Sequence, residues 1–258
     1  RWHRRQILNE QDNENRDMTD AIETTKTKPA GLINTATNIL LSPGEAFTEL
    51  QQRPSKLFPL ALIIPSTMAV MFWYFSIVDF DWFIDATLAE ANLDGEQLEV
   101  ARESMASMSQ TTFKMFGVLG SAIGTLAIYV LQSGYLSLIS AITGSGQKFG
   151  NWFSLVLWSS LPYILSIVGM VTTIALSPNG QLSSYDLDPL TLANLGMQSS
   201  NGSLTSMFNT LSLPMLWGMV LIVMGYRQWL NCSLLKAMAV VLAPYLLLMG
   251  VWAYFAFN

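Results

Sequence analysis

Few residues of this chain have the type and spacing to do chemistry, and each group of them falls short of a recognisable centre. The single histidine, His3, lies in a polar amino-terminal tail, so histidine-based zinc motifs and Ser-His-Asp arrangements have no base to use. Cys232 is the only cysteine. It cannot close an internal disulfide, and with no histidine near it in sequence it reads as an ordinary loop or interface thiol and not as a nucleophile. Gly144-Ser145-Gly146-Gln147-Lys148-Phe149-Gly150 has the glycine content of a phosphate-binding loop. It lacks the glycine-lysine-serine/threonine ending and follows no strand, so it is expected to be a tight turn. Asp79, Asp81, Asp85, Glu90, Asp94, Glu96, Glu99 and Glu103 crowd one stretch without the regular spacing of a calcium loop, which fits a solvated face. Asn201-Gly202-Ser203 is a glycosylation sequon that matters only in a eukaryotic secretory host. The expected function is non-enzymatic, with no catalytic residue, cofactor, metal or nucleic-acid partner.

What remains is hydrogen bonding and packing inside apolar segments. Gln132, Ser133 and Tyr135 form the most polar patch in any of them. They suit interhelical hydrogen bonds or, as the alternative, part of a substrate path. Gly117, Gly120 and Gly124 put small residues on one helix face, where another helix of this chain or of a second subunit can approach closely. Pro65, Pro162, Pro214 and Pro244 each fall inside an apolar segment. A mid-helix proline frees a carbonyl four residues earlier, and in lipid that carbonyl needs a partner. The kinks at Pro65, Pro162 and Pro244 are therefore expected to face neighbouring helices, with Ser159 and Ser160 satisfying backbone beside Pro162.

The elements that position these residues are membrane helices. Five stretches, about 57–77, 116–139, 153–174, 207–226 and 237–257, hold no Asp, Glu, Lys, Arg or His. About 20 apolar residues at about 1.5 Å each cross a hydrocarbon core of about 30 Å. A soluble helix of that length would keep a charged face. With 51% hydrophobic and 12% charged residues, the chain is expected to be all-α, a polytopic bundle of five transmembrane helices surrounded by membrane lipids. The absence of intramembrane charge argues against ion- or proton-coupled transport.

The basic residues orient the bundle. Arg1, Arg4, Arg5, Arg16, Lys26, Lys28, Arg53 and Lys56 precede the first span. Lys148, Arg227 and Lys236 fall on the same side, leaving only Arg102 and Lys114 on the other. That asymmetry puts the amino terminus in the cytoplasm and, with five spans, the carboxyl terminus outside. Trp152, Tyr226 and Trp229 would mark the inner interface, and Trp73, Tyr74, Trp82, Trp252 and Tyr254 the outer one.

Residues 1–30 read as a solvated cytoplasmic tail, and residues 31–258 as the membrane domain. The first apolar run is too long and too late for a signal peptide, and Met18 reads as an alternative start. Leu32, Ile33, Ala36, Ile39 and Leu40 recur at helical spacing, and Ser42-Pro43-Gly44-Glu45 has the pattern of a capping box opening a second short helix. Both helices either lie along the inner membrane surface or pack beneath the bundle. On the outer side, 83–91 reads as one helix and Asp94-Gly95-Glu96-Gln97 caps another, continuous with the second span. Leu98, Ala101 and Met105 on its face are candidate partner contacts, with packing onto the protein's own second outer loop as the alternative. Residues 177–206 read as a loop, with a short turn of helix over Asp188-Pro189-Leu190-Thr191-Leu192.

Four stretches carry a resemblance. They are Ile39-Leu40-Leu41-Ser42-Pro43-Gly44-Glu45-Ala46-Phe47, Leu93-Asp94-Gly95-Glu96-Gln97-Leu98-Glu99, the run from Gly144 through Ser160-Leu161-Pro162, and Leu211-Ser212-Leu213-Pro214-Met215-Leu216-Trp217 with Gly225. Over about 32–257 the chain resembles the bacterial branch of the YIP-domain, or Ypt/Rab-interacting-protein type, five-span membrane family. Ser212-Leu213-Pro214 departs from the family pattern by dropping an acidic position. The resemblance implies an inner-membrane protein with no established catalytic residue. It further implies an accessory or assembly subunit, with an ABC-type permease and a periplasmic adaptor as expected partners. The alternative is a stand-alone transporter or channel for lipid or small apolar solutes.

Overall fold

The computed structural model describes residues 31–90, 93, 95–197, 199 and 201–257. Among them the regular structure is helical, apart from one isolated antiparallel bridge between Thr191 and Ser212. The expected tail, 1–30, lies outside the described residues. The chain divides into two compact units, Arg1–Thr35 and Ala36–Asn258. In the first, the Thr35 N–H donates to the Gly31 carbonyl at 3.0 Å, closing the opening turn of α1 (Leu32–Leu41).

The second unit contains α2 (Pro43–Gln52), α3 (Leu57–Ile77), α4 (Phe80–Glu90), α5 (Glu96–Ser107), α6 (Gln110–Ile142), α7 (Phe149–Ser159), α8 (Tyr163–Ala175), α9 (Gly202–Thr210), α10 (Leu213–Leu230) and α11 (Leu234–Phe257). Three helices, α3, α6 and α11, are long and apolar enough to cross a membrane. A fourth crossing is formed if α7 and α8, bent by 42° at their junction, count as one. The chain is thus an all-helical polytopic membrane protein, with three or four crossings by length and composition where five were expected.

Both departures occur where proline meets a polar residue. The expected 153–174 span breaks at Ser160-Leu161-Pro162. Pro162 has no N–H to continue the ladder, and the Ser160 hydroxyl takes up the Val156 carbonyl at 2.8 Å. Ser159, expected to help, is instead fully buried and without a hydrogen-bond partner. The expected 207–226 span is divided between α9 and α10. Ser212 caps α10 by accepting from the Met215 N–H at 3.4 Å, and Pro214 occupies the first turn, where a missing N–H costs little. The last turn of α10 carries Arg227 and Gln228, which lowers its hydropathy. Its buried residues include Gly218, Leu221, Ile222, Gly225 and Tyr226, so much of its surface meets protein.

α5 does not run into the second span. The Ser109 side chain accepts from the Thr112 N–H at 3.2 Å and starts α6 afresh. The 33 residues of α6 then extend about 50 Å, well beyond one hydrocarbon thickness.

The long helices run antiparallel, giving the unit a basic end near Lys56 and Lys148 and an acidic end near Asp79, Asp81 and Asp85. At the basic end Trp152 stacks on Tyr226, with centroids 5.4 Å apart, and lies 5.6 Å from Trp229. Ala46, Phe47 and Leu50 of α2 are buried in the same core. The Trp229 indole donates to the Phe47 carbonyl at 2.8 Å, and Gln228 donates to the Gly44 carbonyl at 2.8 Å. α2 therefore packs against the bundle at its basic end, the second of its two expected placements. Its expected capping box is incomplete, because the Ser42 side chain makes no capping hydrogen bond.

At the acidic end Tyr74 donates to the Leu182 carbonyl at 2.9 Å, while Phe75, Phe83 and Phe113 meet edge to face at 5.4–6.0 Å. Tyr74, Trp152, Tyr226 and Trp229, expected at the membrane interfaces, are buried core residues. Their large rings fill the core at either end, and the Trp229 and Tyr74 polar atoms are satisfied by backbone carbonyls within it.

Candidate functional site: a hydroxyl-lined cavity among broken helices

The two helix breaks open onto a common cavity of about 380 Å³. α6 contributes Thr125, Ile128, Tyr129 and Gln132. The α7–α8 junction contributes Ser160 and Tyr163, and α11 contributes Tyr245, the neighbour of Pro244. Pro214, Met215, Gly218, Met219 and Ile222 come from α10. Tyr185, Asp188 and Thr191 come from the loop between α8 and α9. Thr125 to Tyr129 lie near the middle of the apolar part of α6, and Tyr245 lies near the middle of α11. The cavity therefore reaches from helix midpoints to the acidic-end loop. Irregular backbone at membrane depth is tolerated where it lines such a space.

Local interactions fix the walls. Gln132 donates to the Tyr245 hydroxyl and ties α6 to α11. The Tyr129 hydroxyl meets the Ser160 side chain, and the Tyr163 hydroxyl meets Thr67. The bridge pairing Thr191 with Ser212 is framed by Leu192 N–H to the Leu211 carbonyl at 2.8 Å and Leu213 N–H to the Leu190 carbonyl at 3.0 Å. It fastens the loop to the start of α10. Asn194 donates to the carbonyls of Tyr185 and Asp188 at 2.9 and 2.8 Å, and Asp188 accepts from the Leu190 N–H at 3.0 Å. Gly169 lets Pro189 sit against α8; a Cβ there would fall 2.8 Å from the proline ring. The region 177–206, expected to be a loop with a short turn of helix over 188–192, packs its described residues into a wall whose 188–192 segment forms turns, and its last residues belong to α9.

The sequence-predicted residues are divided by this geometry. From the polar patch, only Gln132 lines the cavity. Ser133 bonds back to the Tyr129 carbonyl at 2.6 Å, and Tyr135 donates to the Val240 carbonyl at 2.9 Å, bridging α6 and α11. Pro162 is buried beside the cavity and Pro244 is half-buried. Pro65 is exposed, contrary to its expected inward position. The buried stripe of α3 is Ile63, Thr67, Val70 and Tyr74, and Pro65 lies off it.

Of the glycines, Gly117 packs directly on the Phe75 ring, while a Cβ at Gly120 or Gly124 would meet nothing within 4 Å. Met105 packs against the acidic-end core, and Leu98 and Ala101 are half-buried on α5. The Arg102 guanidinium bridges to Asp85 at 2.6 Å on the exposed side of that helix, a pair worth little in water. Sequence reasoning missed Tyr129, Tyr163, Tyr245 and Asp188. The available signal was three tyrosines inside otherwise apolar segments, two of them immediately following a proline.

No group of three or more potential metal-ligating side chains occurs among the described residues. No curated protein and no solved structure matches the chain. The Yip1 domain model matches residues 37–255, from before α2 to within the last turn of α11. The chain belongs to the Yip1 domain family of membrane proteins.

Proposed function

We propose that this protein is a non-enzymatic accessory or assembly subunit of a larger membrane complex, with a multicomponent ABC-type efflux complex as its specific setting. The observation that carries the reading is the unpartnered small-residue face of α6. Among the described residues, a Cβ at Gly120 or Gly124 would meet nothing within 4 Å, and the flanking Leu119 and Ile123 are exposed. Helices associate in lipid where small residues let backbones approach, so this face suits a helix of another subunit. An ABC-type permease and a periplasmic adaptor are the partner classes under this reading. The basic end faces the cytoplasm of a bacterium, and α10 is a fifth crossing, enclosed enough by other helices to tolerate its lower hydropathy.

Replacing Gly124 by Leu tests the proposal. Co-purifying partners should be lost while the melting temperature of the isolated chain stays unchanged. Full retention of partners in a stable Gly120→Leu/Gly124→Leu variant would overturn the role of this face.

The cavity favours a second reading, direct handling of lipid or small apolar solutes. Transport by the purified chain alone in liposomes would make it the better one.

A further inference from the structure

We propose that the cavity between α6, α8, α10 and α11 binds the head of a cationic amphiphile, an amine or quaternary ammonium group carrying an apolar tail. This rests on the composition of the cavity wall and is independent of the subunit reading.

Asp188 is the only charged residue among the described residues lining the cavity. Its carboxylate accepts from the Leu190 N–H at Oδ1, a neutral donor, and no ion pair to it occurs among the described residues. A carboxylate in a wall without a basic side chain disfavours anions and favours a cation, because partly desolvated charge is costly unless paired. Four tyrosines, Tyr129, Tyr163, Tyr185 and Tyr245, share the wall with it. Aromatic rings and a carboxylate sharing one cavity are the chemistry that recognises organic ammonium groups.

The rest of the wall suits the tail. Ile128, Met215, Met219 and Ile222 supply apolar surface, and methionine adapts to varied shapes. The volume lies in the range of small-molecule sites. Phosphate-first recognition is disfavoured by the absence of Lys or Arg among the described lining residues. The hydrogen-bonding groups are placed for orientation: Gln132 and Tyr245 near mid-helix, Ser160 at the α7–α8 break.

The full chain, purified in a neutral maltoside detergent, is titrated with decyltrimethylammonium, decanol and decyl sulfate, and binding is followed by thermal shift and equilibrium dialysis. The ammonium probe should bind saturably at about one per chain, at least about tenfold more tightly than the other two. Asp188→Asn retains the Oδ1 acceptor for Leu190 and should remove about a tenfold preference for the cation. Asp186→Asn, an exposed change in the same loop that does not line the cavity, should leave binding unaltered. If decanol binds as tightly as the ammonium probe in the wild type, or if a folded Asp188→Asn variant keeps the preference, the proposal is overturned. The comparison of probes on the wild type decides the matter even if the Asp188 variant does not fold. Tight binding of decanol that depends on Tyr245 would retain a neutral solute site and reject the cationic one.

Discussion

Single glycines separate packing within the chain from packing against something else. A methyl group at Gly117 would overlap the Phe75 ring, so Gly117→Ala should destabilise the isolated protein by about 1–3 kcal/mol. Gly120→Ala and Gly124→Ala meet open space and should change its melting temperature by less than the equivalent of about 0.5 kcal/mol. Thermal unfolding of the three variants in detergent measures this contrast; equal losses would mean the α6 face is already occupied within the chain. Gly225 belongs with Gly117, since its missing side chain accommodates Leu155. A spacing of small residues in sequence selects a possible face, but only the neighbouring helix decides which glycines are used. That neighbour was not legible in the sequence. Trp229 offers a second test at this scale. Trp229→Phe removes the donor to the Phe47 carbonyl at a buried site and should cost about 1–3 kcal/mol, measured by the same unfolding assay.

The helices themselves were largely legible where apolar length decides, and least legible where one polar residue does. α3 was read at its observed bounds, Leu57–Ile77, because nothing interrupts it except a proline that the helix tolerates. The breaks at Ser109, at Ser160-Leu161-Pro162 and at Ser212 each depend on a hydroxyl capturing a backbone group. Such local capture competes with helix continuation without leaving a mark on hydropathy. α2 illustrates the complementary ambiguity: an amphipathic ten-residue helix suits a lipid surface or a protein one equally well. The tryptophan and glutamine bonds from α10 show one of its faces packed on protein. Deleting 32–50 should therefore lower the melting temperature substantially, whereas deleting 1–17, which has no apolar periodicity, should leave it unchanged. Equal damage from both deletions would refute α2 as part of the core. The cavity was only hinted at in the sequence, by Gln132 and Pro162, because its other walls come from segments far apart in the chain.

At the scale of the whole molecule, the proposed topology makes a labelling prediction. With the basic end in the cytoplasm and five crossings, native Cys232 should be protected from a membrane-impermeant thiol reagent in intact cells. A cysteine placed at Asn258 should be labelled. The reverse pattern would mean that the orientation is inverted or that α10 does not cross, and labelling of both would remove α11 as a crossing. The proposed arrangement would turn the small-residue face of α6 to lipid, where a chain acting alone would leave it without a partner. The most direct test is the native mass and composition of the wild-type protein extracted from its own membrane in mild detergent. Our account predicts a particle larger than one chain with its detergent, containing at least one other membrane protein, reduced to the single chain by Gly120→Leu/Gly124→Leu. A wild-type particle that is a lone chain under conditions that preserve other membrane complexes would contradict it.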